Sequence, residues 1–167
     1  TMVTKADSNY LYWTGISWVS AINIDKSDIN LVMQLPKAIA FIKHLFSFNP
    51  SYGHGALHDF FISYYGSLSS EQGGSEEKAR FHFKKACELS HNTLLSPYIS
   101  LATSVCIKNQ NLKEFKDLLN QALKIDIDQN PQQRLVNVIY RQKALWLLDH
   151  IDNFFLISQD KEGESNE

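Results

Sequence analysis

The chain has 167 residues with 16 basic and 18 acidic side chains, a formal charge of −2, and 44% apolar residues. That composition carries enough apolar surface for a core and excludes a disordered chain. The near-neutral charge without a basic stripe argues against a nucleic-acid binder, and the few glycines and prolines argue against a turn-dense all-β domain.

The first helix is expected from about Ser8 to Ile22, capped by Ser8 or Asp7, with Leu11, Trp18 and Ile22 on one face. Asp25-Lys26-Ser27-Asp28 reads as a turn with Ser27 as N-cap of a second stretch that reaches Leu35. Pro36 implies a kink or a fresh start, followed by an amphipathic run through Ala38, Ile42 and Leu45 that closes at Asn49-Pro50. None of the unbroken apolar runs is long enough to span a bilayer. Leu57, Phe60, Phe61 and Tyr64 mark another helix, and Gly66 to Ser75 a loop, with Ser75 capping a helix that presents Ala79, Phe83, Ala86 and Leu89. Pro97 opens a helix leading to Ile107, and Leu112 to Lys124 follows with Phe115, Leu118, Leu119 and Ala122 inward. Pro131 opens the last and longest helix, whose core face is expected to carry Leu135, Ile139 and Trp146 and to continue to Phe155. The chain therefore reads as all-α, in about eight helices. Residues 1–157 are expected to form a single helical repeat domain and 158–167 a disordered acidic tail.

Three helical segments share one pattern. Ala38, Ile42 and Leu45 align with Ala79, Phe83 and Ala86, and then with Phe115, Leu119 and Ala122. The spacing between triplets is near that of helix-turn-helix repeats, which predicts a tetratricopeptide-like α-solenoid of antiparallel helix pairs.

The chemistry-bearing residues point away from catalysis. His54 and His58 stand four apart, a spacing able to hold a metal, but Gly53 and Gly55 place His54 in a turn, and Asp59 points away from His58 on a helix. We expect no metal site, and a His58 that hydrogen-bonds a neighbouring helix. Cys106 lies between Val105 and Ile107, which suits a core thiol better than a nucleophile, and no disulfide with Cys87 is expected. No cofactor motif is present. Arg134 and Arg141, a heptad apart, suit ion pairs with Glu88, Asp126 or Asp128, or a carboxylate ligand.

Residues 1–66 hold 12 of the 20 aromatic side chains but only 8 of the 34 charged ones. Either this half supplies core, or part of it is covered by a partner. Trp13 and Trp18 are about 140° apart on a helix, so both cannot face one core strip. Tyr12, Trp13, Trp18, His58, Arg134 and Arg141 are thus the candidate partner or ligand surface.

Several blocks in order resemble one family. They are Tyr12-Trp13-Thr14-Gly15-Ile16-Ser17-Trp18 with Leu35-Pro36-Lys37, then Gly55-Ala56-Leu57-His58-Asp59-Phe60-Phe61-Ile62-Ser63-Tyr64. Gly73-Gly74-Ser75-Glu76-Glu77-Lys78-Ala79-Arg80-Phe81-His82-Phe83 and Ser96-Pro97-Tyr98-Ile99-Ser100 follow. Arg134-Leu135-Val136-Asn137 and Ala144-Leu145-Trp146-Leu147-Leu148 end the series. Together, from Tyr10 to Phe155, the chain resembles the T component of TRAP (tripartite ATP-independent periplasmic) transporters. The resemblance implies a non-enzymatic, periplasmic, lipid-anchored protein of tetratricopeptide-like helices. It also implies docking of the transporter's substrate-binding subunit, help in passing on its ligand, and a trimer with pores lined by the protomers. The chain departs from the family in having Asp59 where glutamate is common, and in lacking the lipoprotein signal and the long helical stretch that usually precede the Tyr-Trp block. The competing reading is a generic tetratricopeptide scaffold that takes a peptide or helix in its groove.

Overall fold

The computed structural model describes residues 4–156, and among them there are helices and turns but no strand. In chain order the helices are α1 (Ser8–Ile24), α2 (Ile29–Val32), α3 (Leu35–Phe48), α4 (Tyr52–Ser67), α5 (Glu76–Leu89), α6 (Ser96–Leu101), α7 (Leu112–Leu123) and α8 (Arg134–Asp149). A π-helical turn, Ala102–Cys106, continues α6, and 3-10 turns flank the array at Lys5–Asp7 and Ile151–Asn153. The proposed acidic tail lies outside the described residues.

Two compact units divide the chain between His58 and Asp59. In the first, α1 packs along α3. Gly15 makes this approach possible, because a Cβ there would stand 2.6 Å from Ile42 Cγ1. Ala38, Ile42 and Leu45 are buried on the facing side of α3. The N-terminal end of α1 is tied by Asn49 Nδ2 donating to Ser8 Oγ at 3.0 Å and Tyr52 Oη donating to Asn9 Oδ1 at 2.7 Å. The short α2 is capped by Asp28, whose carboxylate accepts from the Asn30 and Leu31 amides. Ser27, the expected cap, instead donates its hydroxyl to Asp25. The longer acidic side chain reaches the orphan amides while the serine immediately before it satisfies the turn. The stretch Ile29–Phe48 is long and apolar enough, by length and composition, to cross a membrane, although Pro36, Lys37 and Lys43 interrupt its apolar runs.

In the second unit consecutive helices pack on one another, α5 on α6, α6 on α7 and α7 on α8. The core combines Ala79, Ala86, Leu95, Ile99, Val105, Phe115, Leu119, Ala122, Ala144 and Leu147. The small residues at the repeat positions, Ala79, Ala86 and Ala122, are all buried, as the repeat alignment requires. Proline at the start of α6 and Ser75, which accepts from the Lys78 amide, act as the sequence indicated.

Arg80 on α5 forks onto Glu114 of α7, with nitrogen–oxygen distances of 2.5 and 2.9 Å, and also pairs with Glu76. Those two carboxylates raise its already high pKa. Where α8 begins, Asn137 is buried: its Oδ1 accepts from the Leu95 amide at 3.2 Å and its Nδ2 donates to the Thr93 carbonyl at 2.8 Å. One side chain thus satisfies two backbone groups of the α5–α6 connection, the Leu95 amide and the Thr93 carbonyl.

The last helix departs from expectation. It begins at Arg134, after a turn that Pro131 opens, and its 16 residues make it shorter than α1 with 17. Phe155 lies beyond it and is buried against Phe115, with ring centroids 4.9 Å apart. Leu135, Ile139 and Trp146, expected inward, face solvent, because α8 buries the opposite side through Asn137, Ala144 and Leu147.

Candidate functional site

In the first unit the aromatic residues of α1 divide by their surroundings. Trp18 is half-buried, its Nε1 donating to Gln34 Oε1 at 3.2 Å and its ring lying 6.0 Å from Phe41. Tyr12 is half-buried against the Tyr52 ring at 4.9 Å. Trp13 points outward, 62% exposed, with its ring edge-on to Tyr12 at 5.3 Å, and Tyr10, one helical turn before it, is 77% exposed. α1 therefore shows a rigid aromatic surface centred on Trp13, with Trp18 as part of the packing underneath.

His58 is buried with its ring edge-on to Phe46 at 5.1 Å. His54 sits in a left-handed turn with Gly53 and Gly55, at φ values of 54°, 62° and 98°. The α-helical periodicity that would bring the two histidines together is thus broken between them. Among the described residues no group of three or more His, Cys, Asp or Glu side chains gathers as a metal site would require.

The second unit holds a polar group, Asp59, that the sequence singles out without showing its surroundings. The Asp59 carboxyl is enclosed, and its Oδ1 has no hydrogen-bond partner within the chain. Burial raises its pKa above the ordinary carboxylate range; the Ser100 and Ser96 hydroxyls and then the Lys143 charge act in the opposite direction. Tyr140 is raised as well, first by burial and then by Asp59. The serines stand one turn apart on α6 and Tyr140 and Lys143 one turn apart on α8, spacings visible in the sequence but meaningful only once α4, α6 and α8 are placed. Chemically, Oδ1 is an acceptor awaiting a donor, and a protonated carboxyl would itself donate.

Cys87 and Cys106 are free and buried, and burial pushes their thiols up to about 11 and about 12. Neither carries appreciable thiolate at neutral pH, which removes the activation a cysteine nucleophile needs. Arg134 is exposed and pairs through Nε with Asp128 Oδ1 at 2.5 Å, while Arg141 is half-buried seven residues along the same helix. Of the candidate residues, Tyr12, Trp13, Trp18 and His58 belong to the first unit and Arg134 and Arg141 to the second.

Helices packed on one another, with an outward aromatic surface on α1, define an all-helical protein among the described residues. The chain belongs to the TRAP transporter T-component family, whose description matches residues 1–155. It is 28% identical over 153 residues to an uncharacterized protein of Treponema pallidum (strain Nichols). That match takes in 92% of this chain and 47% of the relative, so the chain spans about half the relative's length. The family places the protein among the accessory components of these transporters, and suggests a non-enzymatic role and a periplasmic location.

Proposed function

We propose that the protein docks the substrate-binding subunit of its TRAP transporter through the aromatic surface of α1, and helps pass that subunit's ligand. The observation that carries this reading is the 62% exposure of Trp13 beside Tyr10, in a family whose members serve the transporter. Tryptophan and tyrosine bury large areas for little lost side-chain entropy, which suits a docking surface. A lipid anchor on the full-length protein belongs to the same proposal.

The test is titration of the cognate substrate-binding subunit into the wild-type chain and into Trp13→Ala, with thermal melting of both. Affinity should fall at least about tenfold, the size of a hot-spot truncation, with the melt unchanged. Equal affinities with equal melts would exclude this surface, and binding of unrelated helical peptides with similar affinity would favour a general tetratricopeptide scaffold.

A further inference from the structure

Asp59 Oδ1 is shut off from solvent and has no hydrogen-bond partner in the chain. Two hydroxyls of α6 act on this carboxyl, those of Ser100 and Ser96, which share one face of that helix. In the π-helical turn that continues α6, Thr103 and Ser104 turn their hydroxyls back onto the carbonyls of Ile99 and Ser100, at 2.8 and 2.6 Å. That is the ordinary partner of a hydroxyl within a helix. Ser96 and Ser100 serve the carboxyl instead. Cys87 on α5 and Tyr140 on α8 both feel its charge, so the group lies among α4, α5, α6 and α8.

Charge and atom type together say what this arrangement takes. A buried carboxylate repels an anion, and a neutral donor would fill Oδ1 yet leave the charge uncompensated. A cation does both. Oδ1 and the two serine oxygens all carry lone pairs, and an all-oxygen set suits a hard cation or an ammonium group rather than a soft metal. One carboxylate balances one positive charge, whereas divalent ions gather several oxygens and commonly more than one carboxylate. Among the described residues no group of three or more His, Cys, Asp or Glu side chains is present to serve such an ion. Lys143 does not fill the role itself. Its Nζ stands over the Tyr140 ring, 5.9 Å from the centroid, and its charge acts on Asp59 less than either serine does.

We infer that Asp59 Oδ1, with the hydroxyls of Ser96 and Ser100, binds a small monovalent cation, either an alkali metal ion or the ammonium group of an organic amine. A proton competes with that cation for the same oxygen, so the protonated carboxyl is the form that persists where no such cation is supplied. The charge of Lys143 opposes the guest and weakens the site. This inference is independent of the docking surface on α1.

The experiment is thermal melting and calorimetric titration of the full chain in sodium, potassium and methylammonium chloride. Each is compared with N-methylglucamine chloride at equal ionic strength, in mildly alkaline buffer. At least one small cation should raise the melting temperature saturably, by about 3 °C or more, where the bulky cation does not. A response to sodium or potassium alone identifies an alkali ion, and a response to methylammonium identifies the amine of an organic ligand. Asp59→Asn should abolish the response. Ser96→Ala and Ser100→Ala should each weaken binding by about tenfold, and Lys143→Gln, which removes the opposing charge, should tighten it. Equal melts in all the salts, or a response that survives in Asp59→Asn, would overturn the inference. Weaker binding in Lys143→Gln would overturn it too, because the lysine would then be holding a negative group of the ligand. Should Asp59→Asn fail to fold, unchanged binding in both serine variants is the result that defeats the site.

Discussion

Two side chains in the second unit set opposite expectations for mutation. Asn137 completes its hydrogen bonds to Leu95 and Thr93 inside the core. Asn137→Ala would leave a buried amide and a buried carbonyl unpaired, so unfolding in urea should show a loss of roughly 1–3 kcal/mol. Asp59 is the reverse case, a buried carboxyl whose Oδ1 lacks a partner and whose pKa is raised by that burial. Between the unfolded value and the higher folded one, the folded state then binds a proton that the unfolded chain has released. Its contribution to stability is complete below the unfolded value of about 3.9 and disappears as pH rises through the higher folded value. Asp59→Asn, which needs no proton, should therefore raise the melting temperature at neutral pH, with the gain shrinking as pH is lowered toward 4. A gain that does not depend on pH would mean the carboxyl stays ionised in the folded protein. Asn137 stands out in the sequence only as a polar residue in an apolar helix. The Asp59 surroundings cannot be read there at all, since Ser96, Ser100, Tyr140 and Lys143 come from two later helices.

At the scale of helices, close approach depends on small residues, and those were legible. Ala86 has the spacing of the repeat and is buried in the core of the second unit. Ala86→Leu should overpack it by about 1–3 kcal/mol, measured by chemical denaturation. Gly15 is a sharper case, because its missing Cβ is what lets α1 lie on Ile42. Gly15→Ala should lower the melting temperature despite alanine's better helix propensity, and a rise would show that Ile42 can move aside. The bidentate contact of Arg80 to Glu114 ties α5 to α7 from a partly exposed position. Arg80→Gln should thus cost only about 1 kcal/mol or less, and less still in high salt. Helix starts followed local chemistry at Ser75 and Pro97, whereas the cap of α2 moved from Ser27 to Asp28, because neighbouring polar residues compete for the same amides.

For the whole molecule, the outward aromatic surface of α1 makes the prediction. Trp13→Ala should weaken docking of the transporter's binding subunit and leave the thermal melt unchanged. The aromatic excess of the first 66 residues that underlies it was visible in composition. Which tryptophan faces outward was not, because Trp18 finds Gln34 and Phe41 only after α1 lies beside α2 and α3. By itself, the sequence determined the helical class, the repeat spacing, the small contact residues and the family, since those depend on local periodicity and ordered motifs. Tertiary structure alone decided which face of α8 is buried, because that helix carries two apolar faces and only the position of its neighbours chooses between them. It likewise decided that Asp59 is enclosed, because burial is a property of the helices packed around a residue and not of the residue's own neighbours in the chain.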